Sequence, residues 1–223
     1  MAEFIRAQTV TAAASLVPEI TLQLATEITP LWQLTEERLK GGDLPPPFWA
    51  FAWPGGQGLA RYILDNPSEV KGKRVLDFAA GCGIAAIAAA KAGAKRAMAD
   101  DIDLLAQTAI ELNAAHNGVE VEIRRVTNME KPFTGADVIM VGDVCYQQAM
   151  SVAIMRWLRL CLATGVRILI ADPGRAYVPQ EGIIELARYE CPTSLELEDR
   201  KGRTVVVWEL QKSAISDQRV SDS

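Results

Sequence analysis

Apolar residues in this chain fall into short blocks whose period changes along its length. From residue 74 onward, brief apolar runs alternate with longer stretches in which apolar residues recur at helical spacing. RVLDF predicts a strand, and IAAIAAAKAG an alanine-rich helix stopped by Gly93. AKRAMAD predicts the next strand and DLLAQTAIELNAAHNG the next helix, with Asp103 as its N-cap. VEIRRV and ADVIMVGD read as strands, QQAMSVAIMRWLRLCLA as a helix and VRILIAD as a strand. VPQEGIIELARYE predicts a helix, and the end predicts a hairpin: TSLELED, a turn at RKGR, then TVVVWEL.

Strands spaced by helices imply parallel βαβ units, right-handed crossovers and a doubly wound α/β sheet, here with an antiparallel C-terminal edge. The first 70 residues differ. Helices are expected around 11–27 and 31–40, then the proline-rich LPPPFWAFAWPGG, then a helix over GQGLARYILDN. The expected division is a helical extension over 1–70 packed on the core, a core over 71–212 and a disordered tail over 213–223.

At 223 residues, with 49% apolar and 23% charged residues, the chain has the composition of one ordinary α/β domain. Its net charge of −5 offers no basic face for nucleic acid and suits a small ligand or a basic protein segment. Four scattered cysteines without a C-x-x-C pair read as free thiols. The longest strictly apolar run, IAAIAAA, is far shorter than the roughly 20 residues of a membrane helix, and MAEFIRAQTV lacks the order of a signal peptide. A monomeric cytoplasmic protein, without membrane or nucleic-acid partner, is the expectation. His116 is the only histidine and reads as a solvated helix end, which leaves Ser-His-Asp and Cys-His chemistry without its base.

In open α/β sheets ligands bind beyond the carboxyl ends of the strands, where strand order reverses. That rule points at VLDFAAGCG, 75–83. Gly81 and Gly83 let the backbone approach a ligand, and the following helix aims its amides at it. Asp101 lies 20 residues after Gly81, where a carboxylate accepts hydrogen bonds from a ribose diol. Gly81, Gly83 and Ala86 also fit a dinucleotide fingerprint, but Asp77, four residues before Gly81, would repel a pyrophosphate. It suits an ammonium-bearing ligand, which favours S-adenosylmethionine.

With these residues the chain resembles the seven-strand, Rossmann-like S-adenosylmethionine methyltransferases, whose first motif is acid-x-G-x-G-x-G. Here it stands as DFAAGCG, with Ala79 at the first glycine, a departure that a negative φ would accommodate. PPPFWAFAWPGGQGLARYILDN, VLDFAAGCGIAAIAAAKAGA, DDID, GDVCY, ADPGR and VVVWEL extend the resemblance to the lysine methyltransferases of the electron transfer flavoprotein β subunit. The resemblance implies methyl transfer from S-adenosylmethionine to protein lysines, with cofactor contacts at Trp53, Asp77, Ala79, Gly81, Gly83, Asp101, Ile102, Asn128 and Asp143.

Base-amine and glutamine methyltransferases carry a proline pair such as NPPY where this chain has Asp143-Val144-Cys145-Tyr146. In the family it resembles, that stretch faces the acceptor lysine. Asp143 is then expected to receive the lysine cation through a charge-assisted hydrogen bond, and Tyr146 to line its channel. Asp100, Asp101 and Asp103 read as ribose contact and helix cap rather than a metal site. Asp172 and Arg175, in the turn ADPGR at the next strand end, lie beside the site. Two rival readings are a ribosomal-protein methyltransferase and a catalytically silent adaptor that keeps the cofactor fold.

Overall fold

The computed structural model describes residues 1–26, 29–31, 46–192 and 202–212. The chain opens with a short helix, α1 (Ala2–Gln8), and an antiparallel pair, β1 (Val10–Ala13) and β2 (Thr21–Leu24). Helix α2 (Pro54–Asp65) leads into β3 (Arg74–Phe78), α3 (Ile84–Lys91), β4 (Arg96–Asp100), α4 (Leu104–His116) and β5 (Glu122–Arg124). Then come β6 (Val138–Gly142), α5 (Gln148–Ala163), β7 (Arg167–Asp172), β8 (Ile183–Pro192) and β9 (Gly202–Leu210).

Strands β3 to β9 form one seven-stranded sheet in the order β5-β4-β3-β6-β7-β9-β8. Its first five strands are parallel, β9 pairs antiparallel with β7 and β8 antiparallel with β9, so the expected doubly wound sheet with an antiparallel C-terminal hairpin is present. Strand order reverses between β3 and β6, which brings the ends of RVLDF and VIMVG side by side.

Both faces are covered, which is why the parallel strands read as continuous apolar runs. Alternation within β3 sorts its side chains: Val75 packs under α2 and α3, while Leu76 and Phe78 face α5. On that second face Trp157 stacks against Phe78 with ring centroids 4.5 Å apart, and its indole N–H donates to the Lys131 carbonyl at 3.1 Å.

Two predicted helices are strands. Where a helix is expected over 11–27, residues 10–24 form the β1–β2 hairpin, with Pro18 in its connection where a helix interior would have lost a hydrogen bond. The hairpin docks through amides: Asn113 of α4 accepts from the Gln23 N–H at 2.8 Å, and Gln57 of α2 accepts from the Leu16 N–H at 2.9 Å. Within VPQEGIIELARYE, the segment from Ile183 on is β8. The apolar strand β9 has β7 on one side, and IIELARYECP supplies ladder partners on the other, overriding a composition that favours helix. The expected helix beyond residue 31, strand TSLELED and the tail from residue 213 lie outside the described residues.

Because Trp157 fills the centre of the α5 face, Trp157→Ala should cost about 3–5 kcal/mol of unfolding free energy. Urea denaturation followed by circular dichroism measures it.

Candidate active site

Two groups of residues meet where β3 and β6 end. The first is the glycine turn. Gly81 and Gly83 both adopt positive φ, 55° and 78°, so the turn from β3 into α3 uses the freedom only glycine has at no steric cost. A side chain at Gly83 would strike Ile110, whereas the space before Gly81 is open, the nearest atom to a built Cβ being the Phe48 carbonyl oxygen at 3.9 Å. Asp101 fixes this turn: its carboxylate accepts from the Gly81 N–H at 2.9 Å and from the Asp103 N–H at 3.0 Å. Asp103 in turn caps α4 by accepting from the Leu105 N–H at 2.8 Å, as its position predicts.

Asp77 is only 3% exposed and accepts from the Ala86 N–H, in the first turn of α3, at 3.0 Å. Burial, with Asp101 and Asp100 nearby, pushes its pKa up to about 8. One amide and a helix terminus do not compensate the lost hydration, so this carboxylate is poised to gain a cation. Asp100, which accepts from the Val126 N–H, is raised to about 6, mainly by burial.

The second group surrounds Asp143, which sits just past β6 at a φ of 58°. A non-glycine residue rarely holds that conformation, and aspartate is among those that tolerate it. One carboxylate oxygen accepts from the Gly56 N–H at the start of α2, at 3.0 Å. The other bonds to the Arg175 guanidinium. Burial raises the Asp143 pKa, and Arg175 and the α2 amides pull against that rise. Gly55 permits the approach: a Cβ there would fall 2.5 Å from the Ala171 carbonyl oxygen and 2.6 Å from an Asp143 oxygen.

The cation that Asp143 holds here is the chain's own Arg175, so an acceptor lysine would share this carboxylate with that guanidinium. Sequence reasoning placed Arg175 beside the site without giving it a role. Its partner is 32 residues away in the chain, so no local spacing could signal the pair. Asp172, fully buried, accepts from the Arg175 N–H at 2.6 Å, and its second oxygen lies 3.8 Å from the guanidinium. Desolvation raises Asp172 to about 6.

Aromatic side chains wall the space between the groups. Trp53 caps the start of α2 and donates its indole N–H to the Phe48 carbonyl at 2.8 Å. Phe48 contacts both Trp53 and Tyr146, with centroids 5.7 and 5.8 Å apart. Tyr146 is 48% exposed and lines, with Arg175 and Arg203, a polar cavity of about 310 Å³ on the outer side of the cluster. Phe48 was legible only as part of the aromatic segment FWAFAW.

Ile102 is 80% exposed, next to Asp101 in the chain. Asn128 is exposed, and its carboxamide oxygen accepts from the Glu130 N–H at 2.7 Å, closing its own turn. Cys82 and Cys145 are buried thiols pushed up to about 12, mainly by desolvation, so neither is a thiolate nucleophile. His116 ends α4 in an exposed position, as expected.

The chain is 39% identical over 206 residues to the electron transfer flavoprotein beta subunit lysine methyltransferase of Rattus norvegicus, covering 90% of this chain and 80% of that one. The Homo sapiens protein of the same name is 38% identical over 210 residues, covering 91% and 78%. A family model described as ribosomal protein L11 methyltransferase matches residues 61–144. Among solved structures, a proposed RNA methyltransferase from Pyrococcus horikoshii superposes with a TM-score of 0.54, covering 85% of this chain and 100% of that one. At 14% identity that likeness is one of fold alone.

One expectation about the turn fails. Ala79 does not keep a negative φ; its φ is 57°, a conformation that costs an L-residue about 1–2 kcal/mol. Gly83, donating to the Ala80 carbonyl at 2.8 Å, and Ala80, donating to the Asp100 carbonyl at 2.9 Å, hold it there. Ala79→Gly should relieve that strain and, net of glycine's greater unfolded-state entropy, raise stability by about 0.5–1 kcal/mol. The urea midpoint should rise; a fall would contradict the positive φ.

Proposed function

The chain belongs to the electron transfer flavoprotein β subunit lysine methyltransferase family, and from that premise we propose that it methylates lysine side chains of that β subunit, with S-adenosylmethionine as donor. The observation that carries this reading is the meeting, at the β3–β6 reversal, of two carboxylate sites built for different cations. Asp77 accepts from the first turn of the helix that follows the glycine turn, and Asp143, at the end of β6, pairs with Arg175, which lines the cavity beside Tyr146.

The residues present fit the donor. The space before Gly81 is open, Asp101 stands beside it, and Asp77 is a buried carboxylate short of positive charge. Trp53, Asp77, Ala79, Gly81, Gly83, Asp101 and Ile102 would hold it, with Asn128 at the adenine end and Asp143 towards the methyl group. When bound, it supplies an electrophilic methyl on a sulfonium. Asp143 keeps the acceptor amine in line, Tyr146 and Phe48 wall its approach, and positioning supplies most of the acceleration. A ribosomal-protein substrate is the second reading, favoured by the family model over 61–144. That match covers the glycine turn but neither Phe48 and Trp53 nor Tyr146 and Arg175, where an acceptor would dock.

Asp77 makes donor-site binding pH-dependent. Its pKa is raised in the free protein, and a bound ammonium lowers it, so binding releases a proton below about pH 8. S-adenosylhomocysteine affinity, measured by calorimetry, should therefore rise between pH 6 and 8, and decline again only where the ligand's own α-ammonium loses its proton. Asp77→Asn should flatten that dependence. Tight NAD binding without response to S-adenosylhomocysteine would refute the donor.

Purified β subunit of the same cell should take up methyl label, more slowly as salt screens the field of a chain with net charge −5. Because Asp143 would face the donor only at the methyl group, which S-adenosylhomocysteine lacks, Asp143→Asn should leave S-adenosylhomocysteine affinity near wild type and slow transfer by roughly 10²-fold or more. Efficient labelling of ribosomal proteins with none in the β subunit would move the substrate to the second reading.

A further inference from the structure

The charge at the acceptor end is arranged in a way that lysine binding alone does not require. A site meant only to attract an ammonium would be served by free carboxylates. Here Asp143 and Asp172 flank a guanidinium supplied by the same chain, and Arg175 is anchored twice: its backbone N–H on Asp172 and its side chain on Asp143. Arg175 lines the cavity next to Tyr146, with Arg203 on the same wall, so an amine arriving past that ring meets fixed positive charge before the carboxylates that Arg175 pairs with.

We infer that Arg175 is a positioning residue that lets the acceptor lysine react as a neutral amine, by locking the Asp143 carboxylate in place and offsetting the negative charge that would otherwise hold the lysine protonated. This rests on the lysine methyltransferase reading above. The physical problem is specific. A lysine has a reference pKa of about 10.4, and only the unprotonated amine has a lone pair to donate. Two unopposed carboxylates would raise that value further, whereas a guanidinium, which keeps its charge at every working pH, lowers it. The proton then leaves to solvent before transfer.

Arg203 of β9 lines the same cavity, but it is Arg175 whose guanidinium bonds to the Asp143 carboxylate, and the other groups near Asp143 add no positive charge. Cys145 and Cys82 stay neutral thiols, and the Tyr146 phenol is raised by burial. Asp77 and Asp101, on the glycine-turn side, carry no positive charge and are themselves raised by burial, and the Gly55 and Gly56 amides contribute only dipoles. Among the described residues that bond to Asp143, Arg175 is the one full positive charge.

The test is the pH dependence of single-turnover methyl transfer to the β subunit by wild type, Arg175→Gln and Arg175→Ala, between pH 6 and 10. Both variants should move the acidic limb to higher pH by about 1–3 units, with at least about tenfold slower transfer at pH 7. S-adenosylhomocysteine binding by calorimetry should stay near wild type, showing a folded donor site. Guanidinium chloride at millimolar concentration should return the limb of Arg175→Ala towards wild type where sodium chloride of equal ionic strength does not. An unmoved limb in both variants, however slow they are, overturns the inference and leaves Arg175 a structural residue. Wild type that labels no protein lysine overturns the inference together with the reading it rests on.

Discussion

The Asp143 carboxylate joins three parts of the chain that are far apart in sequence. It holds the first turn of α2 through Gly56, the loop after β7 through Arg175, and its own strand end through a left-handed backbone. Removing water from a carboxylate is costly unless its lone pairs find donors, so this one can sit at the sheet's switch point only because all three are in place. The close packing of α2 follows from it. Gly55 lies against the Ala171 carbonyl, and the aromatic segment before α2 is thereby brought over the mouth of the site.

The same logic governs the opposite side of the cleft, with the opposite outcome. Among the described residues Asp77 has one amide of α3 and no arginine, and it sits near Asp100 and Asp101. Its charge is left wanting, whereas that of Asp143 is answered from within the chain. Two carboxylates at adjacent strand ends are thus tuned to different tasks by their partners rather than by their chemistry. The polar supports reach well beyond the cleft. Buried Asn113 donates to the Cys82 carbonyl at 2.9 Å while holding the β1–β2 hairpin, so the N-terminal segment braces the glycine turn without entering it.

Much of the fold was legible because parallel strands buried on both faces must be apolar and their crossovers must be amphipathic or alanine-rich. RVLDF, AKRAMAD, ADVIMVGD and VRILIAD each form the strand their composition predicts, and Gly93 and Asp103 end and begin their helices as expected. Legibility failed where a partner, not the segment, decides. IIELARYE is a good helix former that becomes β8 because β9 needs a second neighbour. The β1–β2 hairpin differs, since Pro18 argues against helix from the sequence alone.

At the site, the sequence by itself determined which residues would carry charge and where the chain could bend: Asp77 before Gly81 and Gly83, Asp101 after the next strand, Asp143 and Tyr146 after β6. Their spacing along strands and turns is local, and local spacing survives folding. Tertiary structure alone decided how each charge is spent. It set Arg175 on Asp143, drove Ala79 into a left-handed turn and laid Phe48 against Tyr146. These outcomes depend on distances between segments that only the packed sheet brings together, and the energy of a buried charge depends on those distances more than on the residue that bears it.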